Sequence, residues 1–475
     1  MNFEHITRRE MLRRAGAGFG SIALLGLLAR TGWAAARNPL APKTPHFPPR
    51  AKSIIWLFMN GGQSQVDTWD YKPELQKRDG QPLPGFDAKT GFFPDAVGPL
   101  MKSPFKWAQH GQSGTWASEL FPNLSQHVDK MAFIHSMHTD SNNHSPALFM
   151  MNTGVTRMGN PSVGSWVTYG LGSVSEDLPA FMVMSDPKDR GLPKGNANNW
   201  TAGFLPSVYQ GTWLKPKGEP IDNLKRPVDV SERRQRQQLD LMAKLNRAAL
   251  AGTPADDELA ARIDSFELAY RMQTSAPEAF DLQREPEHIR KLYGLDQKHC
   301  SHIAAQCLTA RRLVERGTRF VQIYSGGMEN QLSWDCHMDL VGNHTGFARE
   351  TDQPFAALLA DLEQRGLLKD TLVVCGGEFG RLPISQKGDK PGRDHNPHAF
   401  TVWMAGGGAK GGVHYGETDD IGHKAAVNKV SVRDFHATLL HALGLDHEKL
   451  IFPFQGLDQR LTGVEKCRVV KEVFA

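Results

Sequence analysis

Apolar residues in this chain gather in short runs that stop at glycine, and loops bearing acids or histidines follow. Ser53 to Met59 (S-I-I-W-L-F-M), Met131 to Ser136, Pro179 to Ser185, Thr318 to Tyr324, Leu372 to Cys375 and Ala399 to Ala405 are each too short for a helix. Such runs suit strands buried on both faces, as in a parallel sheet. Between them lie stretches with helical apolar spacing. These are Ala147 to Met151 with Ser145-Pro146 in the first turn, Ser231 to Leu250, Asp256 to Thr274, His299 to Arg316, Asp352 to Glu363 and Val430 to Leu443. The alternation predicts an α/β fold, a mostly parallel central sheet flanked by helices, with a helical insertion around 231–316 covering one face. The many charges of that insertion read as a solvated face. Pro73 to Pro122, rich in Pro, Gly and Trp, is expected to be irregular and to wrap the surface or form a lid.

The strand ends carry the candidate chemistry. Leu372 to Cys375 stops at Gly376-Gly377, and Glu378 follows directly; Ser53 to Met59 stops at Asn60-Gly61-Gly62, with Asp67 and Asp70 next. Thr318 to Tyr324 stops at Ser325-Gly326-Gly327 and leads to Trp334-Asp335-Cys336-His337, then Asp339 and His344. Open α/β sheets keep their sites just past the C-terminal ends of strands, although each stretch alone also fits a solvated turn. Asp335 and His337 are two residues apart, so an extended backbone points both the same way, whereas a helix would put Asp335 and Asp339 on one face; either arrangement could hold a divalent metal. Gly392 to His398 places Arg393, Asp394, His395 and His398 together; the Arg fork matches sulfate or phosphate, and a salt-bridged loop is the plainer reading. His436 and His441, on the last helix, read as packing or capping residues.

Composition narrows the class. The 475 residues suffice for one large domain or two ordinary ones, and 55 Lys+Arg against 51 Asp+Glu, with no basic stripe, give no nucleic-acid footprint. The five Cys are odd in number and lack zinc-ribbon spacing, so the fold must rest on its core. At the start, Thr7-Arg8-Arg9-Glu10-Met11-Leu12-Arg13 has the twin-arginine form. Ala15 to Ala29 is apolar but short of the roughly 20 residues of a membrane span, and Ala34-Ala35-Ala36 offers a cleavage pattern. Residues 1–36 are therefore expected to be a Tat signal peptide. The mature chain, 37–475, is expected to be one domain, periplasmic or extracellular, with no stable membrane span.

Four segments together resemble the DUF1501 proteins: Gly61-Gly62-Gln63-Ser64-Gln65-Val66-Asp67-Thr68, Trp334-Asp335-x-His337, Gly376-Gly377-Glu378-Phe379-Gly380-Arg381 and Gly392-Arg393-Asp394-His395. The resemblance runs from about residue 50 to 475, and that family looks like a branch of the alkaline phosphatase and sulfatase superfamily. Ile54 to Asp67, Pro146 with Thr153-Gly154, Gly366 to Gly380, and Val430, Asp434, Thr438, Leu439 and Leu440 are similar to that superfamily's elements in order and spacing. The departures are specific. His144 stands at the nucleophile position and Leu148 at that of an Arg. Glu378 replaces a metal-binding Asp, Phe379 replaces the His or Asn beside it, and Asn60-Gly61 replaces an acidic pair.

What the resemblance implies is an exported metal-dependent hydrolase of sulfate or phosphate esters, its substrate a small anionic ester or sulfated glycan. The departures leave room for the alternative, an inactive exported binding or scaffold protein that keeps the fold. A single divalent ion (Zn, Ca or Mn), if one binds, would be held by some of Asp67, Asp335, His337, Glu378, His395 and His398. His144 through nitrogen, or Ser145, would be the nucleophile, unless water activated at the ion makes both unnecessary. Arg381 or Arg393 would neutralise the oxyanion and His395 would protonate the leaving group.

Overall fold

The computed structural model describes residues 38–475 apart from 217–218, 222–225, 227–228 and 251–256. Residues 1–36, the expected Tat signal peptide, lie outside the described residues. In chain order the strands that frame the site are β1 (Ser53–Met59), β2 (Val97–Leu100), β3 (Trp107–His110), β4 (Thr115–Ser118), β5 (Met131–His138), β6 (Phe181–Met184) and β7 (Thr212–Leu214). They continue with β8 (Phe320–Ser325), β9 (Thr371–Gly376), β10 (Gly380–Gln386), β11 (Arg393–Asn396), β12 (Phe400–Ala405) and β13 (Val413–Tyr415).

β1 shows why these runs carry no polar alternation. Ile55, Leu57 and Met59 belong to the core on one face of the main sheet, while Ile54, Trp56 and Phe58 belong to the core on the other. Successive side chains point to opposite faces, so a strand covered on both must be apolar throughout. The sheet runs β13-β5-β12-β9-β1-β8-β6-β7, with the short strand Val430–Ser431 also against β5. Among the described residues only β12 runs against the rest, antiparallel to both β5 and β9. The mixed, mostly parallel sheet with flanking helices is thus the expected architecture. One consequence fixes the site: the C-terminal ends of β1, β5, β8 and β9 and the start of β12 all lie at one edge.

The helices covering the sheet are α1 (His144–Thr153), α2 (Val163–Leu171), α3 (Glu232–Leu250), α4 (Asp257–Phe280), α5 (Ser301–Glu315), α6 (Leu340–Gln364) and α7 (Val432–Ala442). Leu148, Trp166 and Phe435 bring α1, α2 and α7 to one core; Leu308 and Leu358 bring α5 and α6 to the other. The insertion divides its labour. α5 and Met272, Ala276 and Ala279 of α4 enter the core, whereas α3 stays on the outside and is tied to α4 by Arg236 and Glu267 at 2.7 Å.

Two expectations change. α6 starts at Leu340, not near Asp352, and so takes in His344. Its first turns hold glycines and an Asn, poor helix formers, but burial of His344 and Phe347 and the Asp339 cap on Gly342 N overcome that. The 73–122 region is also more ordered than its composition implies. It forms a helix at Pro73–Lys77 and the β3-β4 hairpin, and β2 joins β10 and β11 in a three-stranded sheet. The five cysteines are free thiols, and among the described residues no helix is long and apolar enough to cross a membrane.

Candidate metal centre

His144, Asp335, His337 and His395 converge at this edge, one ligand atom from each lying within 4.8 Å of all the others. His144 opens α1 after β5, with Asn143 as N-cap. Asp335 and His337 lie in the loop after β8. That loop is held by Trp334 N donating to Asn60 O at 2.9 Å and by Trp334 Nε1 donating to Ser325 Oγ at 3.1 Å. His395 sits on β11, opposite Arg381 of β10, and reaches the same edge from before a strand because β12 runs in reverse.

Asp335 is the hub. Its Oδ2 lies 2.8 Å from His144 Nε2, and its Oδ1 lies 2.9 Å from His337 Nε2 and 3.1 Å from His395 Nε2. His337 Nε2 and His395 Nε2 face each other at 2.9 Å. The opposite ring nitrogens all meet acceptors. His144 Nδ1 donates to Glu378 Oε1 at 2.8 Å, His337 Nδ1 to Gln386 Oε1 at 2.8 Å, and His395 Nδ1 to the Asn142 carbonyl at 2.6 Å. With each Nδ1 carrying the proton, all three Nε2 lone pairs aim at one place beside a carboxylate.

That place calls for positive charge. His144 Nε2 and Asp335 Oδ2 are buried and have no hydrogen-bond partner despite their 2.8 Å approach. Burial alone would strip the His144 proton, yet the charges of Asp335 and Glu378 prevail and raise its affinity for one. Burial works to raise Asp335, but the Arg381 guanidinium and His144 hold it well below the usual carboxylate range. Burial and the charge of His144 push His395 well down. Three imidazole nitrogens and one carboxylate form a donor set for a first-row divalent cation, and the residues fit such an ion.

The remaining expected site residues fall elsewhere, each for a visible reason. Asp67 is engaged by the Arg393 fork, at 2.6 Å from Nε and 3.1 Å from Nη2, and does not reach the cluster. Burial would raise its pKa, but Arg393 and Ser64 lower it. Arg393 also donates to the carbonyls of Leu382, Met101 and Lys102. Arg381 donates to Asp335 Oδ1 at 2.7 Å and to the carbonyls of Gly62, Gly61 and Arg393. Both guanidiniums are committed to protein groups, where the expectation had one of them open to an oxyanion. His398 lies beside His423, with ring centroids 6.3 Å apart, outside the cluster. Glu378 stands one step behind it, also accepting from Gly61 N at 3.0 Å. His144 Nδ1 is held by Glu378, while its Nε2 faces Asp335 Oδ2 at 2.8 Å, so the expected attack through nitrogen would fall to Nε2. Ser145 is half-buried, with its amide on the Asn143 side chain.

Sequence reasoning missed Gln386 and Asn142 as partners of the His337 and His395 imidazoles. Asn142, two residues before His144, was findable by position; Gln386 carries no signal, since only the pairing of β10 and β11 brings it near His337. The Phe379 ring walls the cluster, 4.9 Å from His144 and 4.5 Å from His395.

The family described as "Protein of unknown function (DUF1501)" matches residues 51–474, and the chain belongs to that family. No curated protein matches it. Among solved structures, a sulfatase from a Pseudoalteromonas species aligns over 96% of this chain and 78% of its own at 14% identity, with a TM-score of 0.35. A phosphonate monoester hydrolase from Silicibacter pomeroyi aligns over 90% and 76% at 10% identity, TM-score 0.37. An alkaline phosphatase from the Antarctic bacterium TAB5 aligns over 79% and 96% at 12% identity, TM-score 0.32.

Proposed function

We propose that the chain is an exported metal-dependent hydrolase of sulfate or phosphate esters. In this reading residues 1–36 direct Tat export and 37–475 act as one domain. His144, Asp335, His337 and His395 hold the ion. The observation that carries the reading is the convergence of three Nε2 atoms on the Asp335 carboxylate, each with its Nδ1 held from behind. The nitrogen-rich set favours zinc over manganese and calcium, which are better suited by oxygen donors. When bound, the ion would polarise the ester and favour attack by water or a hydroxyl. Glu378, Gln386 and Asn142 fix the imidazole tautomers, and Arg381 keeps Asp335 ionised. Ser145, beside His144 and reachable by solvent, is the hydroxyl offered as nucleophile. A small anionic ester or sulfated glycan is the substrate class.

Turnover of aryl sulfates and aryl phosphates by the zinc- and manganese-loaded protein tests this. Activity lost in Asp335→Asn and kept in His398→Ala supports it. Absence of turnover of either ester class by protein that carries the ion would overturn the hydrolase and leave the metal centre. One observation favours the second reading, an exported binding or scaffold protein that keeps the fold: neither Arg381 nor Arg393 is open to an oxyanion.

A further inference from the structure

The four ligands are buried, yet one stretch of irregular backbone stands between them and solvent. Residues 88–96 make two short turns, Ala88–Thr90 and Pro94–Ala96, with Gly91, Phe92 and Phe93 between them. Phe93 meets His337 edge-on at 4.8 Å, and Phe92 lies 5.6 Å from His395. Both phenyl rings are about 40% exposed, at 43% for Phe92 and 40% for Phe93. Each therefore has one side on a ligating imidazole and the other in water.

This stretch is tied to the residues that orient the ligands. The Asn142 side-chain amide donates to the carbonyls of Lys89, Thr90 and Gly91, while its own carbonyl accepts from His395 Nδ1. Asp394 accepts from Phe93 N at 2.7 Å through one oxygen and from His395 N at 2.7 Å through the other. A side chain at Gly91 would collide with that carboxylate. Downstream the stretch enters β2, where Val97 pairs with Gln386, the residue that holds His337. Upstream, Phe86 packs on a separate small core. The segment is thus anchored at both ends and fastened in the middle by a few polar contacts, which open at far lower cost than a packed core.

We propose that residues 88–96 form a strap controlling entry to the His144–Asp335–His337–His395 centre, with Phe92 and Phe93 as its gating side chains and Asn142 and Asp394 as its latches. The proposal rests on the metal-centre reading for its purpose but not for its test. Asn142 is a positioning residue: Asn142→Ala removes the amide latch and keeps the backbone carbonyl that holds His395.

Two rates are compared in wild type, the F92A/F93A double variant and Asn142→Ala. The first is the rate at which EDTA strips zinc from the loaded protein. The second is the rate of His395 modification by diethyl pyrocarbonate in metal-free protein, read by peptide mass spectrometry. Both rates should rise about tenfold in both variants, the change in open population expected when roughly one net hydrogen bond or ring contact is lost. Equilibrium zinc stoichiometry should stay at the wild-type value. Wild-type modification rates in both variants would overturn the strap. Protein that takes up no zinc yet shows the faster modification would refute the metal reading and uphold the strap.

Discussion

Asp335 gathers three imidazoles and one guanidinium, and the residues behind those imidazoles decide how well they can ligate. Glu378 fixes His144 from the far side, so Glu378→Gln should keep the hydrogen-bond shape but lose the charge. Zinc affinity, measured against a competing chelator, should then fall about 10–100-fold, the usual cost of altering such an outer partner; unchanged affinity would show that Glu378 is not coupled to the centre. Asp67 makes the opposite prediction. It neutralises the fully buried Arg393, so Asp67→Asn should destabilise the fold by roughly 3–5 kcal/mol in denaturant titration, while zinc stoichiometry below the melting transition is kept. Strand-end placement made Asp335 and His337 visible in the sequence and the Gly392–His398 cluster made His395 visible, whereas His144 was marked only as a nucleophile, through its place in the resemblance. The same cues promoted Asp67 and His398, because sequence proximity cannot tell a carboxylate facing a centre from one facing an arginine 326 residues further along the chain.

At the scale of elements, the site exists because four chain segments are delivered to one sheet edge. The apolar runs announced β1, β5, β8 and β9, and their glycine stops announced the loops. The reversal of β12 was not legible, since a buried antiparallel strand has the same apolar pattern as a parallel one. That reversal is what brings His395, which precedes its strand, to the edge where His144, Asp335 and His337 follow theirs. The loops also need close backbone approach. Gly61 has φ +102°, and a Cβ there would stand 2.6 Å from Asp335 N. Gly61→Ala should therefore cost roughly 1–3 kcal/mol of stability from the backbone strain and should also lower zinc occupancy by moving the Asp335 loop. A variant with wild-type occupancy would show that the loop tolerates the shift. The Pro-rich 73–122 region shows the converse limit: composition identified a covering segment, but its strand β2 depends on a partner, β10, nearly three hundred residues away.

The whole molecule buries several imidazoles in neutral form, and its stability should report this. Burial pushes His135 and His344 down to about 3, and His423 and His436 down to about 4, from 6.5. Groups with depressed folded values bind protons first in the unfolded chain. Their contribution is complete above 6.5 and is lost as pH falls from there toward 4 and then 3. His144, with its raised value, acts in the opposite sense but is one group against these four and His395. The Tm of the metal-free protein should fall steadily between pH 7 and pH 5, and less steeply in His436→Gln; a flat profile would contradict neutral burial. The most direct test of the central claim is elemental analysis of the purified protein combined with its Tm in the presence and absence of chelator. One zinc or manganese ion per chain, lost together with stability when chelator is added and absent from Asp335→Asn, is the predicted result. A chain that binds no divalent ion and melts identically with and without chelator would contradict it.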